Sequence, residues 1–164
     1  ARPFGRFEAE KMSPHAEFDK ITGGEEILGR PFTVTRETIA DFALGSLDFN
    51  PLHFDDDYMK EQFGKTTFHG VIMHGMQNFA MITRTLTDWL LPRGGYHRRL
   101  ETRWLTPVYL GDTITPVATV KRKLATDGSR WVVFDINVTN QKGVSVATGE
   151  AMAEFADVFP GAPT

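Results

Sequence analysis

The side chains best suited to chemistry crowd into one short stretch of the chain: Asp48, Asn50, His53, Asp55, Asp57, His69 and His74. In Asp48-Phe49-Asn50-Pro51-Leu52-His53 the proline fixes one φ and disfavours helix at Asn50, so the segment turns rather than running straight. A carboxylate and an imidazole five residues apart can then face one small volume. Such a pair suits general acid/base work, because a carboxylate accepts a proton and orients water while imidazole carries charge either way near neutral pH. A plainer reading stands beside it, in which Asp48 caps the turn and His53 is a packing residue.

His74-Gly75 is the second feature. A glycine opening a long apolar helix leaves backbone amides unpaired at the positive end of the dipole, with no Cβ to stop close approach by a ligand. That arrangement favours negative charge on a carbonyl oxygen, and one such donor typically contributes about 3 kcal/mol. The alternative is that glycine serves only the sterics of a tight helix start. A divalent ion held by His53, Asp55, Asp57, His69 and His74 is disfavoured, since acids that open a helix already answer its dipole. No metal or cofactor is expected. The basic clusters 97–99 and 121–123 could hold phosphates, but a charge run more often marks a solvated strand edge.

These residues need elements to position them. Residues 1–26 read as a loosely packing extension with Phe4, Phe7, Phe18 and Ile21 as scattered apolar anchors, and 159–164 as a tail. Residues 27–35 suggest a first strand, which Pro31 pushes toward an edge. Thr35 is placed to cap a helix continued by Ile39, Phe42 and Ala43. A short helix over 55–63 should close at Gly64. Residues 75–91 carry only Arg84 and Asp88 as charges, so this helix should be surrounded by protein. The period then changes: 99–109, 113–124, 130–140 and 144–158 are strand-like and separated by turn signals, implying antiparallel neighbours with core Trp and Phe residues. The fold class is therefore α+β, one antiparallel sheet covered by a long helix.

Composition sets the outer limits. The chain has 164 residues, 41% hydrophobic and 24% charged, enough for one real core and too little bias for disorder. Its net charge of -3 supplies no global field for nucleic acid or anionic lipid. With no cysteine, thiolate catalysis and disulfide scaffolds drop out. The polar first residues do not read as a signal peptide, and no apolar run is long enough for a membrane helix. A cytoplasmic location is expected.

Taken together, the run from Asp48 to His53, then His74-Gly75-Met76 opening an apolar helix, then Thr106-Pro107-Val108-Tyr109-Leu110-Gly111-Asp112 leading into strands, resembles the MaoC-like (R)-specific enoyl-CoA hydratases over about residues 27–157. The resemblance implies a single hotdog domain over 27–158, a sheet wrapped around one long helix, and a homodimer. It implies an acyl-CoA substrate, hydrated to a 3-hydroxyacyl thioester with R configuration. Asp48 and His53 would be the catalytic pair and Gly75 the oxyanion donor. Asn50, Thr83, His74 and Met76 would contact substrate, Asn50 also supporting the turn and Thr83 standing near the catalytic water. A hotdog thioesterase, a non-catalytic acyl-thioester binder and a dehydratase acting on a carrier protein are the alternatives.

Overall fold

The computed structural model describes residues 14–61, 68–126 and 128–156. The first half of the expected extension, the closing Gly64 of the second helix, the last two positions of the final strand and the tail 159–164 lie outside the described residues. No helix of the described residues is long and apolar enough to cross a membrane.

The chain runs α1 (Pro14–Lys20), β1 (Glu26–Leu28), β2 (Phe32–Thr33), α2 (Arg36–Ser46), a 3₁₀ turn (Pro51–His53) and α3 (Asp56–Glu61). It continues with α4 (Gly75–Leu90), a second 3₁₀ turn (Leu91–Arg93), β3 (Gly95–Trp104), β4 (Thr113–Thr126), β5 (Ser129–Asn140) and β6 (Ser145–Phe155). The strands form one antiparallel sheet in the order β1-β4-β5-β6-β3, with β2 also on β4. Every second side chain of β4 from Ile114 to Val120 is buried, as expected for a sheet with one covered face.

Thr35 caps α2 as expected, and it does so reciprocally. Its hydroxyl accepts from the Thr38 amide at 3.1 Å while Thr38 Oγ1 accepts from the Thr35 amide at 2.9 Å, a capping box with Thr in the usual Glu position. The single strand expected over 27–35 is instead two. Between them Gly29 presses so closely on α4 that a Cβ there would lie 2.4 Å from Thr85 Oγ1. Pro31 in the same gap has no amide to give the ladder.

The third strand also departs from expectation. It ends at Trp104; Leu105 and Thr106 still donate to Val146 O of β6, and residues 107–112 then leave the sheet because their backbone bonds go elsewhere: Val108 O accepts from Met73 N, Asp112 O accepts from Val34 N, and Tyr109 bridges Ile72. Consequently β3 and β4, consecutive in sequence, are not neighbours; β3 crosses to pair with β6. The β4–β5 and β5–β6 hairpins fall where the turn signals put them.

Helix α4 lies against this sheet with Ile82, Leu86 and Leu90 essentially inaccessible. It is not surrounded in the single chain, however. Met76, Arg84, Thr87 and Asp88 are exposed, because the sheet covers one side of the helix only.

The extension is corrected too. Helix α1 is packed, with Phe18 and Ile21 buried and the Phe18 ring 6.0 Å from that of Phe155. Lys123 explains its anchoring from a hundred residues away: its ammonium donates to Ile21 O at 2.9 Å and Asp19 O at 3.3 Å, and lies 4.3 Å from the Phe18 ring centroid. Lys121 pairs with Asp135 and Glu150, two acids that face each other across β5 and β6 and would otherwise repel. Arg98 and Arg99 pair with Glu154 and Glu101. Both basic clusters thus spend charge inside the fold. Phe18→Ala should lower the unfolding free energy by about 3 kcal/mol in urea denaturation; a loss under about 1 kcal/mol would show that α1 is peripheral after all.

Candidate active site

Helix α2 ends at Leu47, whose φ of 59° is the only positive value among described non-glycine residues. For an L side chain this left-handed backbone costs roughly 1–2 kcal/mol, and it swings the chain sharply into Asp48. Asp48 Oδ1 then accepts the Asn50 amide at 3.2 Å, and Asn50 Oδ1 accepts the Leu52 amide at 3.2 Å. Two successive side-chain turns and Pro51 wind the 3₁₀ turn that delivers His53. Asn50 has a supporting role here and does not line the cleft described below.

His53 is buried, and its Nδ1 lies 2.8 Å from Ile72 O. A carbonyl can only accept, so Nδ1 carries the proton and a neutral ring presents a lone pair at Nε2. That Nε2 lies 3.9 Å from Asp48 Oδ2, whose side chain is 51% exposed. A neutral imidazole nitrogen and a carboxylate oxygen are both acceptors, so they do not bond each other. One water, with two O–H donors, can bridge a gap of this size. Burial holds the His53 pKa below the usual 6.5; His74 acts in the same direction, while the Ile72 hydrogen bond and the Asp48 charge oppose.

His74 occupies a different place from the one expected. It is 1% exposed, stacked on His53 with ring centroids 3.7 Å apart and flanked by Phe42 and Phe54. Its Nε2–H donates to Asp48 O at 2.9 Å. It therefore positions both members of the pair from behind, and it is not part of the cleft wall.

Together Asp48, His53 and His74 bring three ligand-type atoms within 4.8 Å of one another. They do not suit a metal ion. Imidazole binds an ion in the plane of its ring at about 2.0–2.1 Å, and two rings stacked only 25° from parallel cannot both aim at one point. Of the other acids in the stretch, Asp55 caps α3 by accepting the amides of Asp57 and Tyr58, and Asp56 pairs with Arg36.

The pair faces a cleft of about 400 Å³. Its far wall is the start of α4, where His74 makes no side-chain cap and the first amides of the helix point outward. Gly75 and the half-exposed Met76 lie there, as expected, and apolar walls come from Phe68, Ile72 and Val108 among others. The steric reading of Gly75 holds, and it couples to Trp104. Its carbonyl accepts from Trp104 Nε1 at 3.1 Å, and a Cβ at this position would sit 2.9 Å from the indole. Trp104, expected in the core, is instead 53% exposed at the cleft. Thr83 is not brought to the cleft; its Oγ1 is buried without a partner among the described residues. Asn78, which the sequence reading passed over, does line it. The signal was there: Gln77-Asn78 is an amide pair in a helix start whose other residues, from Gly75 to Ile82, are apolar.

An antiparallel sheet curled over one long helix, with the cleft at the helix start, defines the hotdog fold. Solved structures of this shape include a monoamine oxidase regulatory protein from Archaeoglobus fulgidus, 31% identical with a TM-score of 0.74, covering 87% of this chain and 95% of that one. An R-hydratase from Pseudomonas aeruginosa is 26% identical with a TM-score of 0.72, over 90% of this chain and 93% of its own. Residues 18–143 match the family described as MaoC like domain, and the chain belongs to it. In sequence it is similar to the (R)-specific enoyl-CoA hydratase of Aeromonas caviae, 28% identical over 117 residues, which is 71% of this chain and 83% of that protein.

The direction of the His53 shift can be checked on the protein alone. Because the neutral form is favoured, its ring proton resonances should titrate with a midpoint below 6.5. Asp48→Asn removes a charge that raises the pKa, so the midpoint should fall further; a rise in that variant would contradict the geometry.

Proposed function

We propose that this protein adds water across the double bond of a trans-2-enoyl-CoA to give the (R)-3-hydroxyacyl-CoA, and catalyses the reverse dehydration. The observation that carries this reading is the pair of proton acceptors, Asp48 Oδ2 and His53 Nε2, set 3.9 Å apart at an apolar cleft that Gly75 also lines. The coenzyme A thioester and the R configuration rest on what the similar hydratases are called.

In this scheme one water bridges Asp48 and His53. Its oxygen bonds C3 while one of its protons passes to the pair, with the carboxylate as principal base and the imidazole orienting the water. The C2–C3 π electrons shift toward the thioester, and its oxygen gains charge beside the Gly75 amide at the positive end of α4. The pair then returns a proton to C2, so the product has gained one water and nothing else. The thiol ester stays intact throughout. The scheme calls on no metal and no redox cofactor.

The working unit in this proposal is a homodimer. Strand β3 is an edge of the sheet, paired only with β6 among the described strands, and the exposed flank of α4 and the half-exposed Trp104 and Leu105 lie on the single chain. Sedimentation should give twice the chain mass.

Asp48→Asn should cut turnover of crotonyl-CoA by about 10² or more without loss of fold, followed as disappearance of the enoyl thioester absorbance. His53→Ala should do the same, and the double variant should be little worse than either if the two act as one unit. Wild-type rates in Asp48→Asn would remove the mechanism. Release of free coenzyme A from a saturated acyl-CoA, with no hydration, would assign the cleft to a thioesterase instead.

A further inference from the structure

Asn78 is an odd residue to find where it is. A helix interior does not ask for asparagine, whose short amide competes with the backbone. Its neighbour Gln77 has a structural task, donating from Nε2 to Thr38 O at 2.9 Å and so tying α4 to α2. Asn78 has none: it is 2% exposed, and its Oδ1 is buried with no hydrogen-bond partner among the described residues. Leaving an amide oxygen desolvated and unpaired costs free energy that a leucine of similar size would not. Yet Asn78 lines the cleft, where apart from His53 no other described lining residue is both buried and polar.

Its position along α4 says which part of a ligand it meets. Asn78 lies three residues beyond Gly75, about 4.5 Å further along the helix axis. It is far more enclosed than Met76, which is 51% exposed. If the thioester carbonyl sits at Gly75, the pantetheine arm leaves toward the open side and the acyl chain runs toward Asn78. The wall around it, with Phe68, Ile72, Met73 and Val108, suits hydrocarbon. One amide in such a wall reads a single polar group. A hydroxyl fits whichever way the amide is turned, because it both donates and accepts.

We infer that Asn78 is a specificity-determining residue that selects acyl chains carrying a hydroxyl a few carbons beyond the thioester over plain hydrocarbon chains. This rests on the thioester orientation of the hydration reading.

Calorimetric binding of hexanoyl-CoA and of its 5- and 6-hydroxy derivatives tests it apart from catalysis. The wild type should bind at least one hydroxylated chain about tenfold more tightly than the plain one. Asn78→Leu should abolish or reverse that preference, chiefly by tightening the plain chain and weakening the hydroxylated one. Asn78→Ala, which cannot overpack the wall, should also lose it, and circular dichroism establishes that each variant is folded. Equal binding of all three chains by the wild type, or an equal loss for all three in both variants, overturns the inference. The parent reading fails separately. Preference without hydration of any enoyl thioester would sink hydration and keep the role of Asn78, whereas hydration of 2-hexenoyl-CoA with no preference would do the reverse.

Discussion

The hydrogen bond from His53 Nδ1 to Ile72 O is the constraint on which the site turns. It decides the tautomer, and with it whether the nitrogen facing Asp48 offers a lone pair or a proton. It also joins two stretches of chain that must be held together for a cleft to exist, the turn after α2 and the strand-like segment before α4. Two further bonds tie the same stretches: Ile72 N donates to Leu52 O, and His74 Nε2 donates to Asp48 O. Acid side and helix side are thus laced through backbone carbonyls, and the catalytic candidates keep their working atoms free. The cost of this arrangement falls on His53, whose burial weakens its hold on a second proton.

Such economy is visible in Asp48 as well. Its two carboxylate oxygens divide the labour, Oδ1 closing a turn and Oδ2 facing the imidazole. The plain reading of this residue, a turn cap, holds for Oδ1, and the same side chain still leaves Oδ2 facing the imidazole, as the chemical reading requires.

What was legible in the amino-acid order follows from range. The turn from Asp48 to His53 could be read because each of its supports is local: proline at 51, asparagine at 50, an aspartate two residues before it. The start of α4 and the two hairpins were local in the same sense. The partner of β3 was not, because its choice of β6 depends on residues 107–112 finding backbone partners near Val34 and Met73. Nor was the packing of α1, which waits on Lys123. Thr83 comes from the family resemblance alone, and in this chain its side chain does not line the cleft and its hydroxyl is buried without a partner among the described residues. His74 departs from expectation because of what surrounds it in the fold. Its neighbour in sequence opens toward solvent, while its own ring is needed underneath His53.

Gly75 and Trp104 have a longer-term consequence. The indole fills the volume a side chain at 75 would need and also holds the Gly75 carbonyl. Neither position is free to drift alone: enlarging the first evicts the second, and losing the second removes a donor from the Gly75 carbonyl and leaves the helix start unbraced. Across descendants of this chain the two sites should therefore be inherited as a linked pair, one on α4 and the other at the end of β3.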